Sequence, residues 1–205
     1  MGERLLTPWA FVKKLRELRA HLRAERVDEI ARRYLVMNAF DGALAILSVV
    51  VSAYLVGAED PKIIVAIGLA NCLAMAISGF TGTLMTEKAE RMRRLRELEE
   101  VLLTDLEDSD FGRVSTLASV YAAFVDGAAP LAAGVVGLAP LMMAIFLPIG
   151  LEKAVYASLA LTMTTLFALG AFLGRISRGN IVYSGLKMVA IGCITALLCS
   201  LLKAF

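Results

Sequence analysis

The chain has 205 residues, 59% of them hydrophobic, a net charge of +2 and a mean hydropathy of +0.73. Ordinary globular domains are about 45–50% apolar. Here the charges are gathered into blocks between long apolar runs, which predicts an all-α polytopic membrane protein. The small net charge gives no case for a nucleic-acid partner. There is only one histidine, and the three cysteines all lie in apolar runs, which argues against a closed zinc site and against a disulfide framework.

Residues 1–33 predict a basic amphipathic helix at the membrane surface. Thr7-Pro8 suits the cap and first position of a helix. Apolar residues then recur at helical spacing, and arginines occupy the other side: Phe11, Leu15, Leu18 and Leu22 against Arg16, Arg19, Arg23 and Arg26. Such a helix is expected to lie on an anionic bilayer surface. The alternative is a solvated helix packed on its own protein.

Five apolar runs are long enough to cross a bilayer, which takes about 20 apolar residues. Spans one and two fall within residues 34–86, and spans three to five within residues 114–205. The charged segment 87–113 contains no proline and predicts a cytoplasmic helix between spans two and three. Pro130 and Pro140 predict a kink in the third run.

Lys and Arg residues concentrate in the N-terminal segment, in residues 87–113 and in the turn that holds Arg175 and Arg178. The alternate loops hold only Lys62 and Lys153. Because basic loops stay in the cytoplasm, this distribution predicts a cytoplasmic N-terminus.

Asp41 lies inside the first apolar run, where a carboxylate costs about 3 kcal/mol even on the lenient insertion scale. A cation, a proton or a neighbouring helix must offset that cost. Phe40-Asp41-Gly42-Ala43 is echoed by Val125-Asp126-Gly127-Ala128, near the start of another outward-going span. The echo predicts a parallel repeat, and the alternative is a chance match of four residues.

The polar residues of spans one and two fall on single helix faces. Met37, Asp41 and Ser48 share a face of span one beside Asn38, and Asn71, Met75, Ser78 and Gly82 share a face of span two. If the two faces meet, Asp41, Asn38, Asn71 and Met75 form an oxygen and sulfur cage that suits Fe²⁺ or Mn²⁺. The alternatives are a structural hydrogen bond at Asp41, interhelical bonds at Asn38 and Asn71, packing at Met75, and a helix cap or interface position at Asp126.

The charged segment carries acidic pairs at i, i+3 spacing, Glu87/Glu90 and Glu97/Glu100. Pairs of carboxylates one turn apart could collect cations at the mouth of a pathway. The alternative is a solvated helix in which the interleaved arginines form salt bridges with them.

Together these features resemble the vacuolar iron transporter family over most of residues 34–203. The resemblance is carried by Asp41-Gly42, by Ala74-Met75-Ala76, by the charged helix and by Gly185-Leu186-Lys187-Met188 leading into span five. It implies a homodimeric prokaryotic-type member in the cell membrane, with five spans and no permanently bound cofactor. It also implies export of Fe²⁺ or Mn²⁺ from the cytosol against protons. Asp41 and Met75 would line the path, and Glu87, Glu90, Glu97 and Glu100 would gather metal.

The chain departs from the family pattern at two positions of span two. Ile67 stands where the family usually has a glutamate eight residues before the methionine, and Ser78-Gly79-Phe80 replaces Gly-Glu-Tyr. Asp126 is a candidate replacement for a missing carboxylate.

The sequence leaves two alternative functions, an intramembrane aspartyl protease and a non-transporting membrane scaffold. An intramembrane aspartyl protease also needs two membrane aspartates, but that class carries Tyr-Asp and Gly-x-Gly-Asp, whereas Phe40 and Val125 precede the aspartates here. A non-transporting membrane scaffold is the second. It predicts that protein groups satisfy both Asp41 and Asp126 and that no metal binds.

Overall fold

The computed structural model describes residues 27–103 and 110–202, which form five α-helices. These are α1 (Val27–Leu55), α2 (Pro61–Leu102), α3 (Asp110–Phe146), α4 (Leu151–Ile176) and α5 (Ile181–Leu202). Each contains a segment long and apolar enough to cross a membrane, so the all-α, five-span prediction is confirmed. The amphipathic helix predicted before residue 27 lies outside the described residues.

The turn between α1 and α2 follows directly from its residues. Gly57 adopts a φ of 81°, a left-handed conformation that favours glycine. The Asp60 side chain accepts a hydrogen bond of 2.8 Å from the backbone N–H of Lys62 and caps α2. Pro61 takes the first helical position, where no backbone N–H is needed. The chain therefore reverses in few residues, and α1 and α2 run antiparallel.

The charged segment after span two is not a separate helix, because α2 continues without a break to Leu102. Its 42 residues make it about 60 Å long, roughly twice the hydrocarbon thickness of a bilayer. Leu95 is buried in the outer part of α2, and Ala118 and Ala122 are buried in the first turns of α3. In the described part of the chain, these two helices pack more extensively against each other than any other pair.

The core changes character along the bundle. Near the α1–α2 turn it consists of large aliphatic side chains, among them Ile46, Ile64 and Leu138. Toward the α1 N-terminal end it consists mainly of alanines from α1 and α3 with Leu166 of α4. A Cβ at Gly42 would lie 2.5 Å from the carbonyl oxygen of Pro130. Glycine thus lets α1 and α3 approach closely, and this approach brings their polar residues together.

Candidate functional site

A polar cluster joins three helices inside the bundle, and we call it the Asp126 node. Its members are Asn38 of α1, Thr83 of α2 and Asp126 of α3. Asp126 is only 4% exposed. The Thr83 hydroxyl donates a hydrogen bond of 2.6 Å to Oδ2 of Asp126, and Nδ2 of Asn38 donates one to Oδ1. Both carboxylate oxygens therefore have a protein donor, as a buried charge requires.

Two glycines make room for this node. A Cβ at Gly79 would lie 3.0 Å from Oδ2 of Asp126, so the carboxylate occupies space that a side chain on α2 would need. A Cβ at Gly127 would lie 2.6 Å from the carbonyl oxygen of Ala76. The missing side chains at these positions let α2 and α3 pack closely enough for the Thr83 hydroxyl to reach the carboxylate.

Pro130 changes the backbone chemistry of the node. It lies inside α3, four residues after Asp126. Proline has no N–H, so it cannot donate the usual helical hydrogen bond to the carbonyl of Asp126. Asp126 therefore offers a carboxylate and a carbonyl oxygen that lacks its i+4 donor. Backbone carbonyls freed in this way are ion ligands in other membrane proteins.

Asp41, the counterpart of Asp126 in the sequence echo, has a different environment. Its side chain is exposed, because Gly42 beside it turns toward α3. Gly42, next to Asp41, packs against Pro130, which follows Asp126 by four residues. Among the described residues, no group donates a hydrogen bond to the Asp41 carboxylate. The two aspartates therefore have different roles: one is enclosed by protein donors and the other faces outward.

The predicted cage of Asp41, Asn38, Asn71 and Met75 does not close within one chain. Asn38 directs its amide to Asp126 and to the backbone oxygen of Tyr34. Asn71 and Met75 are half-buried. They lie one residue before Cys72, which is buried, and Ala76, whose carbonyl faces Gly127 of α3, and so about 100° around the helix from the row that faces the node. Met37 is 56% exposed and lines a separate cleft between α1, α4 and α5.

The acidic residues of outer α2 are paired with arginines. The Glu87 carboxylate accepts a hydrogen bond of 3.1 Å from the Tyr34 hydroxyl and lies 3.3 Å from Nε of Arg91. Glu90 pairs with Arg94 at 3.3 Å and Glu97 with Arg93 at 3.0 Å, both on the surface, and Glu100 is exposed. Within residues 27–103 and 110–202, no three His, Cys, Asp or Glu side chains are placed to hold a metal ion. Metal gathering by these glutamates stays a prediction.

Sequence reasoning missed Thr83 and the role of Pro130. Thr83 follows Gly79 by four residues and so continues its helix face, which is the signal that could have identified it. Pro130 was assigned only a kink. Because Pro130 follows Asp126 by four residues, the sequence already shows that the Asp126 carbonyl lacks its helical N–H donor.

Comparison with known proteins gives two matches. The sequence model of the VIT family matches residues 110–202, which include Asp126 and helices α3 to α5. An uncharacterized protein of Methanocaldococcus jannaschii is 32% identical over 181 residues, which cover 86% of this chain and 91% of that protein. The similarity to this relative therefore extends over most of the chain.

Proposed function

Because the chain belongs to the VIT, or vacuolar iron transporter, family of membrane metal-ion transporters, we propose that it exports Fe²⁺ or Mn²⁺ from the cytosol in exchange for protons. The observation that carries the proposal is the placement of two membrane aspartates on packed helices, since Gly42 beside Asp41 contacts Pro130, which follows Asp126 by four residues. Two membrane carboxylates at similar depth give a divalent cation a place where its charge is balanced.

The ligand chemistry around this pair suits a hard or borderline ion. Carboxylate oxygens come from both aspartates, and a carbonyl oxygen from Asp126. Asn38 donates through Nδ2 to Asp126, which leaves its Oδ1 available to a cation. Met75 adds a thioether on the neighbouring face. Carboxylate and carbonyl oxygens suit Mn²⁺ and Fe²⁺, whereas this set contains none of the imidazole and thiolate ligands that are typical of zinc sites.

A homodimer would complete the path. Asp41 is exposed on α1, and Ser78 and Gly82 are exposed on α2. A carboxylate that faces lipid costs about 3 kcal/mol or more, whereas a second copy could cover it and supply further ligands. Small residues on the exposed face of α2 permit such close packing. We therefore propose that the ion passes between two protomers, beside Asp41.

The family pattern has a glutamate on α2 that this chain lacks, and we propose that Asp126 of α3 supplies the carboxylate instead. Position 79 corresponds to the glutamate of the Gly-Glu-Tyr pattern but is glycine here. The Asp126 carboxylate lies 3.0 Å from the position of the missing Cβ. The charge would thus be kept at the same place and supplied from α3 instead.

The rival functions fit less well. A scaffold accounts for Asp126, which has protein donors, but leaves the outward-facing Asp41 without an explanation. An aspartyl protease needs two carboxylates that share a water molecule and a proton. Neither aspartate here stands in the Tyr-Asp or Gly-x-Gly-Asp context of that class, since Phe40 and Val125 precede them.

The test is metal uptake into proteoliposomes by Asp41→Asn, with Asp60→Asn as the control. Asparagine is nearly isosteric but removes the charge that offsets the cation in a low-dielectric setting. We expect Fe²⁺ and Mn²⁺ transport to collapse while the protein stays folded and assembled. Asp60 caps α2 outside the apolar core, and asparagine caps equally well, so Asp60→Asn should transport normally. Wild-type transport by Asp41→Asn would favour the scaffold.

A further inference from the structure

We propose that the cleft at the α1 N-terminal end binds one anionic phospholipid, with its phosphate on Arg32 and Arg33 and an acyl chain along the wall below. The cleft has a volume of about 420 Å³ and lies between α1, α4 and α5. It is separate from the Asp126 node, and the proposal does not depend on transport. Its lining comprises Glu29, Arg32, Arg33, Val36, Met37, Phe40, Leu173, Ile176 and Met188.

The deep part of the cleft is apolar. Val36 and Phe40 of α1 lie one and two turns beyond the arginines, and Met188 of α5 faces them. Leu173 and Ile176 form the α4 side. Two helical turns correspond to about 10 Å, so this wall extends from the level of the arginines well into the hydrocarbon region. Its chemistry suits an acyl chain rather than a small polar ligand.

The mouth of the cleft is positively charged. Arg32 and Arg33 are exposed, and in the described part of the chain neither forms an ion pair. The Arg33 guanidinium lies 5.7 Å from the Tyr34 ring centroid, which favours one orientation of its side chain. Glu29 is the acidic residue of the lining, and it already has an interaction partner. Arg175, exposed near the end of α4, adds positive charge at the same end of the bundle.

Charge decides between the possible occupants. A second copy of the chain would bring the same arginines to this cleft, and the chain's own first 26 residues are themselves rich in arginine. Both would meet like charge. An anionic headgroup meets opposite charge, and basic pockets between membrane helices bind such headgroups. Free phosphate would contact only the arginines, whereas a lipid also places an acyl chain on the apolar wall below them, so the cleft favours a lipid.

The test is a native mass spectrometry titration of the full chain with dioleoyl phosphatidylglycerol, compared with dioleoyl phosphatidylcholine. We expect one tightly bound phosphatidylglycerol per protomer and weaker phosphatidylcholine binding. The double substitution Arg32→Gln/Arg33→Gln should lower the affinity for phosphatidylglycerol about 30-fold. Each basic residue near an anionic surface contributes about a fivefold gain in affinity, and two of them are removed. Arg93→Gln/Arg94→Gln removes the same charge from exposed positions on outer α2 and should change little.

A second variant tests the apolar wall without altering charge. Ile176→Trp, at a 43% exposed position on the rim, should partly fill the cleft and weaken phosphatidylglycerol binding at least tenfold. Unchanged affinity in both cleft variants would overturn the proposal. So would equal binding of phosphatidylcholine, or full displacement of the lipid by inorganic phosphate, which would indicate a site for the phosphate alone. Dimerisation that removes the bound lipid would assign the cleft to a second copy instead.

Discussion

Asn38 donates a hydrogen bond to the carboxylate of Asp126 across 88 residues of sequence. The bond joins α1 to α3, and the Thr83 hydroxyl joins the same carboxylate to α2. One buried charge thus fixes the relative positions of three helices. Because lipid offers no competing hydrogen bonds, each donor lost from this node leaves the carboxylate less well satisfied.

Thr83→Val should lower stability, because valine keeps the shape of threonine but removes the donor to Asp126. We expect a loss of about 1 kcal/mol, within the range of hydrogen bonds between membrane helices. The measurement is reversible unfolding in detergent. Thr81→Val is the matched control, since Thr81 is exposed and its hydroxyl donates only within its own helix, to the carbonyls of Ile77 and Ser78. Equal effects of the two substitutions would mean that the Thr83 bond contributes nothing specific.

The glycines of α2 and α3 allow a second comparison. Gly127→Ala would place a Cβ 2.6 Å from the Ala76 carbonyl oxygen, so the helices must separate. Overpacking of this kind costs about 1–3 kcal/mol. Gly82→Ala has no atom within 4 Å of the new Cβ and gains helix propensity, so it should be neutral or stabilising by up to about 1 kcal/mol. Melting temperatures of the two variants should therefore shift in opposite directions, or only the first should fall.

The helices could be predicted from the sequence because hydropathy and turn residues are local signals. Asp60-Pro61, for example, marks the start of α2 without any knowledge of the rest of the fold. The contacts of the node are not local. Periodicity placed Asn38 near Asp41 on α1, but it could not show that α3, rather than α2, supplies the carboxylate that Asn38 binds. That choice depends on the close approach of Gly42 to Pro130, which follows only from packing.

The two similar segments, residues 40–43 and 125–128, also show what a sequence pattern cannot predict. Asp41 and Asp126 are both followed by Gly-Ala, which predicts similar roles. Pro130 follows Asp126 by four residues, whereas Ala45 stands at that distance from Asp41. The resemblance between the motifs therefore stops at the residue that alters the backbone, and burial separates the two carboxylates further.

The glutamates of outer α2 should differ in a way that their spacing does not predict. Glu87→Gln removes the charge opposite Arg91, whose side chain is only 10% exposed, and should destabilise the protein measurably. Glu97→Gln breaks a surface pair with Arg93 and should cost less than about 1 kcal/mol. Calorimetry of Mn²⁺ binding then separates the two hypotheses for this helix. If the glutamates gather metal, Glu97→Gln and Glu100→Gln weaken binding without loss of stability; if the pairs are structural, binding stays unchanged.

The last prediction moves the buried charge from α3 back to α2. Asp126→Ala should abolish transport and loosen the bundle, because Asn38 and Thr83 lose their shared acceptor. Gly79→Glu alone should also be harmful, since its side chain meets the Asp126 carboxylate. Combined, the two changes remove the clash and restore one carboxylate, which lies four residues before Thr83 and so on the same helix face.

We therefore expect Gly79→Glu/Asp126→Ala to recover part of the Fe²⁺ or Mn²⁺ uptake that each single variant loses. The control is Ala89→Glu/Asp126→Ala, because Ala89 is exposed in the charged outer part of α2 and a glutamate there cannot return a charge to the node. All variants are first checked for monodispersity, so that misfolding is not read as lost transport. If only Gly79→Glu/Asp126→Ala recovers transport, the path requires a carboxylate at this place, and either α2 or α3 can supply it. If neither pair recovers while both stay folded, transport needs Asp126 on α3, where its carbonyl lacks the donor that Pro130 cannot provide.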